Sequence, residues 1–300
     1  AVSIDANGVS RRAFVRTLAG ALTAGGIAAA CARAADASVP HTDPAGATPA
    51  EHASRLGAIG VQLYSVRDLM DKDVEGTLAA LSAIGYREVE FAGLHGRTPA
   101  DLRGMLERHS LVSPSSHVAL EDAQKNWDRT LADLTTLGNT FVVIPWIDDT
   151  YRTVDGYKRV AAMFNTAAAA SRKAGLQFAY HNHDYEFAPV EGQRPYDILL
   201  AECDADLVRM EMDLYWIVKG GGDPLAYIAR YPGRFPLVHA KDMAKNGDMV
   251  DVGKGTIDFK AIFAQTTKAG IRHCFVEHDN PPRPLEDLRT SYEYLRQLTY

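Results

Sequence analysis

The sequence predicts one (β/α)8 barrel of the α/β class over residues 56–300, and three observations carry that reading. From Gly57 onward, short apolar runs alternate with helical patterns eight times, as expected where parallel strands are joined by helical crossovers and buried on both faces. Titratable residues collect at the C-terminal ends of those runs, where barrel enzymes build their sites. The first strand-to-helix turn has no G-x-G-x-x-G, which removes the main signal of the rival open, dinucleotide-binding sheet.

The elements follow in order. "AIGVQLYSV" (58–66) reads as strand one, and "VEGTLAALSAIG" (74–85) as a helix stopped by glycine. "YREVEFAG" (86–93) is strand two. The helix at 98–110 opens with Thr98 as N-cap and Pro99 in its first turn. "LVSPSSHV" (111–118) is strand three, with a helix across 122–137. "NTFVVIPWI" (139–147) is a β-branched run, followed by an Ala-rich helix over 156–174. "LQFAYHNH" (176–183) makes strand five, with a helix near 195–203. "LVRMEMDLYW" (207–216) is strand six, and "DPLAYIARYP" (223–232) a helix closed by proline. "FPLVHAKDM" (235–243) is strand seven, with a helix at 258–269 started by Asp258. "IRHCFVEHD" (271–279) is strand eight, before a last helix at 284–298.

The N-terminus reads as an address rather than as fold. Paired Arg11–Arg12 with Phe14, then an Ala- and Gly-rich apolar stretch and "ARA" at 32–34, resemble a twin-arginine export signal over residues 1–34. Export to the periplasm, with cleavage after Ala34, is the expectation; Cys31 offers a weaker lipoprotein-type site. The stretch is too short and too weakly apolar for a membrane span. Residues 35–55 carry Ala, Pro, Thr and Asp without periodicity and read as a linker.

The 300 residues are 46% hydrophobic and 23% charged, with net charge -6. That balance suits a sizeable core and, without a basic tract beyond the signal, makes a nucleic-acid partner unexpected. The 3 cysteines form no CxxC or Cys/His metal spacing. Self-association into a homo-oligomer stays open.

Candidate site residues come from the strand ends: Glu90 on strand two, His117 on three, His181 and His183 on five, Asp213 on six, His239 and Lys241 on seven, and Glu277 on eight. Acids and imidazoles crowded into a closed mouth need compensation, and a divalent cation supplies it. One set, His181, Asp213, His239 and Glu277, draws a ligand from each of strands five to eight. Its N and O donors suit Mn²⁺, Zn²⁺, Co²⁺ or Fe²⁺ rather than Ca²⁺.

The stretches "GVQLYSVRD", "GYREVEFAG", "SSHV", "HNHDYEF", "DLYWIVKGG", "YPGRFPLVHAKDM", "VGKGTIDFKAIF" and "FVEHDNPP" together resemble the sugar phosphate isomerase/epimerase group, the xylose isomerase-like TIM barrels. The resemblance implies one divalent metal, Mn²⁺ favoured and Mg²⁺ also allowed, held by the same four residues. It departs from the ketose 3-epimerases at His181, where they carry a glutamate that also serves as one of two opposed bases. That change brings the chain nearer to inosose dehydratases and to 3-keto-glycoside lyases and hydratases of the same barrel.

The expected chemistry is removal of a proton next to a carbonyl, through an enediolate of a keto-sugar or 3-keto-glycoside, completed either as a lyase/hydratase or as an isomerase/epimerase reaction. His183 lies on the His181 face of strand five and is the first candidate base or acid. Glu277 is ligand or base, and Lys241 is placed to stabilise the enolate oxygen. Glu90 and His117 would bind hydroxyls or shuttle a proton, with Tyr64, Trp146 and Trp216 offering aromatic faces to the sugar. Residues 250–258, "VDVGKGTID", hold glycines and Lys254 in the form of a phosphate cradle, although an exported enzyme is not expected to meet sugar phosphates. A metal-dependent hydrolase and a non-catalytic sugar-binding protein on the same barrel are the alternatives.

Overall fold

The computed structural model describes residues 54–300. The expected export signal (1–34), Cys31 and residues 35–53 of the expected linker lie outside the described residues. Ser54, assigned to that linker, belongs to the barrel: it exchanges backbone hydrogen bonds with Tyr300 in both directions, at 2.8 and 3.0 Å.

Eight parallel strands form the wall: β1 Gly60–Gln62, β2 Glu88–Phe91, β3 Val112–Ser116, β4 Phe141–Ile144, β5 Gln177–His181, β6 Val208–Asp213, β7 Leu237–Ala240 and β8 His273–Val276. They are hydrogen-bonded in the order β3-β2-β1-β8-β7-β6-β5-β4. The remaining seam, β3 to β4, is held by a parallel bridge between His117 and Val143. Thr140 N–H donates to the Pro114 carbonyl and Val118 N–H to that of Val143, both at 2.9 Å. The sheet therefore runs almost the whole way round, as the sequence predicts.

The outer layer is α1 Val74–Ile84, α2 Pro99–Arg108, α3 Trp127–Leu137, α4 Val154–Lys173, α5 Pro195–Glu202, α6 Pro224–Arg230, α7 Phe259–Phe263 and α8 Pro284–Gln297. Their starts are capped as short polar residues dictate: Asp73, Thr98, Thr153 and Asp258 accept from Gly76, Asp101, Gly156 and Ala261 N–H.

Strand alternation explains why these runs are apolar throughout yet end in acids and imidazoles. On β7, Val238 and Ala240 face the helices, while Leu237 and His239 face inward. Leu237 joins Phe141, Val143, Ala179 and Phe275 in a small inner core, the packed floor beneath the mouth. Gly60 borders it, because a Cβ there would stand 2.4 Å from Phe275 Cδ1; only glycine lets the two strands close.

All eight strands end before their expected limits, and at three of them the chain turns at once into other structure. The Gln62 side chain accepts from Tyr64 N–H at 3.0 Å, which turns the chain into a 3-10 helix over Leu63–Val66. Asp213 caps a helix over Leu214–Lys219. After Ala240 the chain leaves the barrel, and Asp242–Met243 pairs antiparallel with Met249–Val250.

Beyond that ribbon, Asp242 is buried and accepts four backbone hydrogen bonds: from Met243 (2.8 Å), Gly253 (2.9 Å), Gly255 (2.8 Å) and Ile257 (3.2 Å). The glycine stretch read as an anion cradle is thus filled from within by the chain's own carboxylate. We expect Asp242→Ala to cost about 3–4 kcal/mol, since it strands several amides at once. Urea unfolding should give a lower midpoint with an unchanged slope; an unchanged midpoint would refute this account.

Candidate active site

The C-terminal end of the barrel opens into a cavity of about 740 Å³, lined by Tyr64, His117, Trp146, His181, His183, Lys241, Glu277 and loop residues around them. Beneath its surface lies a buried cluster of imidazoles and carboxylates in which Glu90 Oε1, Glu211 Oε1 and Asp213 Oδ2 have no hydrogen-bond partner. His181, Asp213, His239 and Glu277, one from each of β5, β6, β7 and the end of β8, meet here as the sequence predicts. Register puts Asp213 beside His239 and Phe275 beside His239, so the strand ends reach one level.

Asp213 is divided by its position. Its Oδ1 accepts from Trp216 N–H at 2.8 Å as a helix cap. Its Oδ2 is buried without a hydrogen bond and faces the cluster: His181 Nε2 at 3.7 Å, His239 Nδ1 at 3.9 Å and Lys241 Nζ at 3.1 Å. Glu277 Oε2 stands 2.7 Å from His239 Nδ1 and 2.8 Å from Lys241 Nζ. Asp213, His239 and Glu277 form one group able to hold a metal ion. Together with His181 Nε2, an orphaned carboxylate oxygen and mixed N and O donors fit a divalent transition ion.

A second layer lies behind these groups, and sequence reading missed its central member. Glu211, fully buried on β6, presents Oε2 at 2.6 Å from His117 Nε2, 3.2 Å from His181 Nδ1 and 3.3 Å from His239 Nε2. The signal was present in the strand period: two residues before Asp213, Glu211 shares its face. Glu90, expected to touch substrate, is instead fully buried and does not line the cavity. Its Oε2 accepts from Gln62 Nε2 at 2.7 Å and sits 2.7 Å from His239 Nε2 and 3.1 Å from His117 Nε2. The reason is depth, because β2 carries the residue below the rim.

Burial and neighbouring charge set the protonation states. Burial alone would lower His117, but Glu90 and Glu211 outweigh it and raise it to about 9. The His239 imidazole likewise stands well above its ordinary value, burial being overcome by Glu211 and Glu277. His181 is driven well below its ordinary range by burial and then by nearby positive charge. Burial raises Asp213 to about 6 against the pull of Lys241 and His239. In Glu277 the balance reverses, since Lys241 and His239 overcome burial and hold the carboxyl well below the usual range.

Lys241 is buried and contacts Asp213, Glu277 and, at 2.7 Å, Asp279. It does not pair with Asp242, whose oxygens serve the loop. Three carboxylates raise its pKa against burial, which makes it a fixed cation and not a base.

His183 sits in an aromatic box, with ring centroids 5.1 Å from Trp146, 5.7 Å from Tyr185 and 5.5 Å from Trp216. Its Nδ1 is buried without a partner, while the residue lines the cavity. Burial first, then Lys241, push it down to about 3, so the ring is neutral. Tyr64 (43% exposed) and Trp146 (49% exposed) stand on the rim, under the Arg67 and Arg152 guanidiniums at 4.2 and 4.5 Å. Trp216 does not line the cavity; it packs between His183 and Lys241.

Glu186 supports His183 from behind. Fully buried, it accepts from His183 N–H at 2.9 Å and from the Tyr180 hydroxyl. Burial raises its carboxyl to about 7. A carboxyl with a raised folded-state pKa stabilises the fold below its unfolded value near 4.5 and loses that contribution as pH rises through about 7. We expect Glu186→Gln to match the wild type near pH 5 and to gain up to about 3 kcal/mol over it at pH 8. Thermal melts across that range check this, and parallel curves would count against it.

Residues 50–298 match the family model for the xylose isomerase-like TIM barrel. The chain belongs to this family. An inosose dehydratase of Lacticaseibacillus casei is 23% identical over 235 residues, covering 65% of this chain and 78% of that protein. A sugar phosphate isomerase/epimerase from Parabacteroides distasonis superposes with TM-score 0.72 at 29% identity, covering 80% of this chain and 98% of the other. The IOLI protein, crystallised with a bound zinc atom, superposes with TM-score 0.64 at 15% identity over 79% and 96%; that likeness concerns the fold. This xylose isomerase-like barrel therefore has sugar-modifying enzymes as its relatives.

Proposed function

We propose that this barrel is a divalent-metal-dependent lyase or hydratase of keto-sugars or 3-keto-glycosides, working by proton abstraction next to a carbonyl. The observation that carries this reading is His181 at the end of β5. With an imidazole there and with Glu90, Glu211 and Asp213 all buried and none of them lining the cavity, strand five supplies no carboxylate base to oppose Glu277, as a two-base epimerisation would require. The likeness to inosose dehydratase supports elimination over epimerisation.

His181, Asp213, His239 and Glu277 would hold the ion, for which Mn²⁺ suits the donor set. When bound, the ion supplies Lewis acidity to the carbonyl oxygen and an adjacent hydroxyl. The neutral His183 ring takes the α-proton, the C–H electron pair forms the C=C bond, and the carbonyl π pair moves onto its oxygen. Protonated Lys241, fixed by its carboxylates, keeps positive charge beside the oxyanion. Reformation of the carbonyl then expels the β-oxygen substituent, which takes its proton from the cavity wall, where His117 stands protonated. Tyr64 and Trp146 present aromatic faces to the sugar ring. We further propose that the enzyme acts after twin-arginine export, on unphosphorylated sugars.

Incubation with 3-keto-glucosides and ketoses in D₂O tests the reaction. Solvent deuterium should appear at the carbon next to the carbonyl, or the β-substituent should be lost. Neither event with any such sugar in the Mn²⁺-loaded protein would remove the enediolate mechanism.

A further inference from the structure

The two ligand histidines face the cluster through different nitrogens. His181 turns Nε2 toward Asp213 Oδ2 at 3.7 Å and Nδ1 toward Glu211 Oε2 at 3.2 Å. His239 does the reverse, with Nδ1 toward Glu277 Oε2 at 2.7 Å and Nε2 toward Glu90 Oε2 at 2.7 Å. We infer that Glu211 and Glu90 are positioning residues that fix the two histidines in opposite tautomers, so that His181 offers Nε2 and His239 offers Nδ1 to a single ion. This rests on the metal-dependent reading proposed above.

The chemistry follows from the donor inventory. A neutral imidazole carries one N–H and one lone pair, and an ionised carboxylate can only accept. In the ion-loaded protein each imidazole gives up any proton on the nitrogen that faces Asp213 or Glu277, while the nitrogen that faces Glu211 or Glu90 keeps its own, which leaves the lone pair for the ion. Such carboxylate–histidine pairs orient metal-bound imidazoles and raise their basicity. Glu90 is itself held, since Gln62 Nε2 donates to the same oxygen at 2.7 Å while Gln62 Oε1 accepts from Tyr64 N–H at 3.0 Å. Both glutamates are fully buried and out of reach of a sugar in the cavity.

His117, His181, Glu211 and His239 also lie close enough to hold an ion of their own. Occupying that group together with the Asp213, His239 and Glu277 group would require both nitrogens of His239 as ligands, hence an imidazolate. Glu211 Oε1 is orphaned as Asp213 Oδ2 is, and each group includes a cavity-lining residue. The single ion is assigned to the Asp213, His239 and Glu277 group because its two carboxylates balance a divalent charge, against one carboxylate in the other group.

Full-length protein labelled with ¹⁵N-histidine and loaded with Zn²⁺, a diamagnetic probe, tests this in two-bond ¹H–¹⁵N spectra. We expect one metal-bound ring with Nδ1–H and one with Nε2–H, at one ion per chain. Two rings of the same tautomer, or two ions per chain, would overturn the assignment while leaving a metal site in place. A protein that binds no Zn²⁺ would instead remove the metal-dependent reading. Chelator competition gives a second readout: Glu211→Gln and Glu90→Gln should each weaken Zn²⁺ binding by about 10–100-fold. Affinity within about twofold of wild type in variants with the wild-type melting temperature would overturn the positioning role.

Discussion

Asp213→Asn is expected to strip the protein of its ion and to lower turnover by about 10³-fold or more, a loss of roughly 4 kcal/mol of transition-state stabilisation. The asparagine isolates the ligand function. Its carbonyl can still cap the following helix, where Oδ1 accepts from Trp216 N–H at 2.8 Å. The amide nitrogen that replaces Oδ2 cannot ligate. It also faces Lys241, now 3.1 Å from that oxygen, with a donor against a donor. Asp213→Ala adds loss of the cap, about 1 kcal/mol, so a comparison of the two melting curves separates fold from site. Metal content by elemental analysis and steady-state rates on the keto-sugar identified by the deuterium experiment give the result. A fully active Asn variant, with its ion retained, would exclude Asp213 as a ligand.

Much of this organisation was legible because strand alternation and barrel topology act on the sequence directly. A polar residue at the C-terminal end of a doubly buried strand is carried to the mouth end of the barrel. His181, Asp213, His239 and Glu277 all meet there, His181 and Glu277 on the cavity and Asp213 and His239 just beneath it. Depth was harder to read. Glu90 and His117 follow similar apolar runs, yet Glu90 is sealed beneath the rim and His117 reaches the cavity wall. That difference arises from how neighbouring strands are staggered around the ring, including the register shift between β2 and β3 at Glu88/Glu90. Glu211 was recoverable in principle from its two-residue spacing to Asp213. Its partners, however, sit on β3, β5 and β7, and no local pattern encodes contacts across three strands. The glycines of residues 250–258 misled for the complementary reason. Their amides do form an anion-binding turn, but the anion is Asp242 from the preceding ribbon, which only the folded chain brings there.

The other large effect concerns His183, where fold and chemistry pull apart. Its neighbours Trp146, Tyr185 and Trp216 could suit a ring that merely fills space, and Nδ1 gains no partner among them. A filler, however, would be better served by an apolar side chain, because an orphaned buried nitrogen costs about 1–3 kcal/mol. What justifies the imidazole is its other edge, on the cavity within reach of a substrate held against Lys241 and Glu277. The environment keeps it neutral, so it meets the substrate with a lone pair already free, and negative charge developing on the sugar oxygen favours its protonation. His183→Gln should therefore lower turnover by about 10²–10⁴-fold while ion content stays at the wild-type level, since the ligands are elsewhere. Exchange of the α-proton with D₂O should fall by the same factor as turnover, because both pass through the same abstraction. Exchange that persists while turnover falls would assign the base to another residue on the wall and leave His183 acting after the proton has gone.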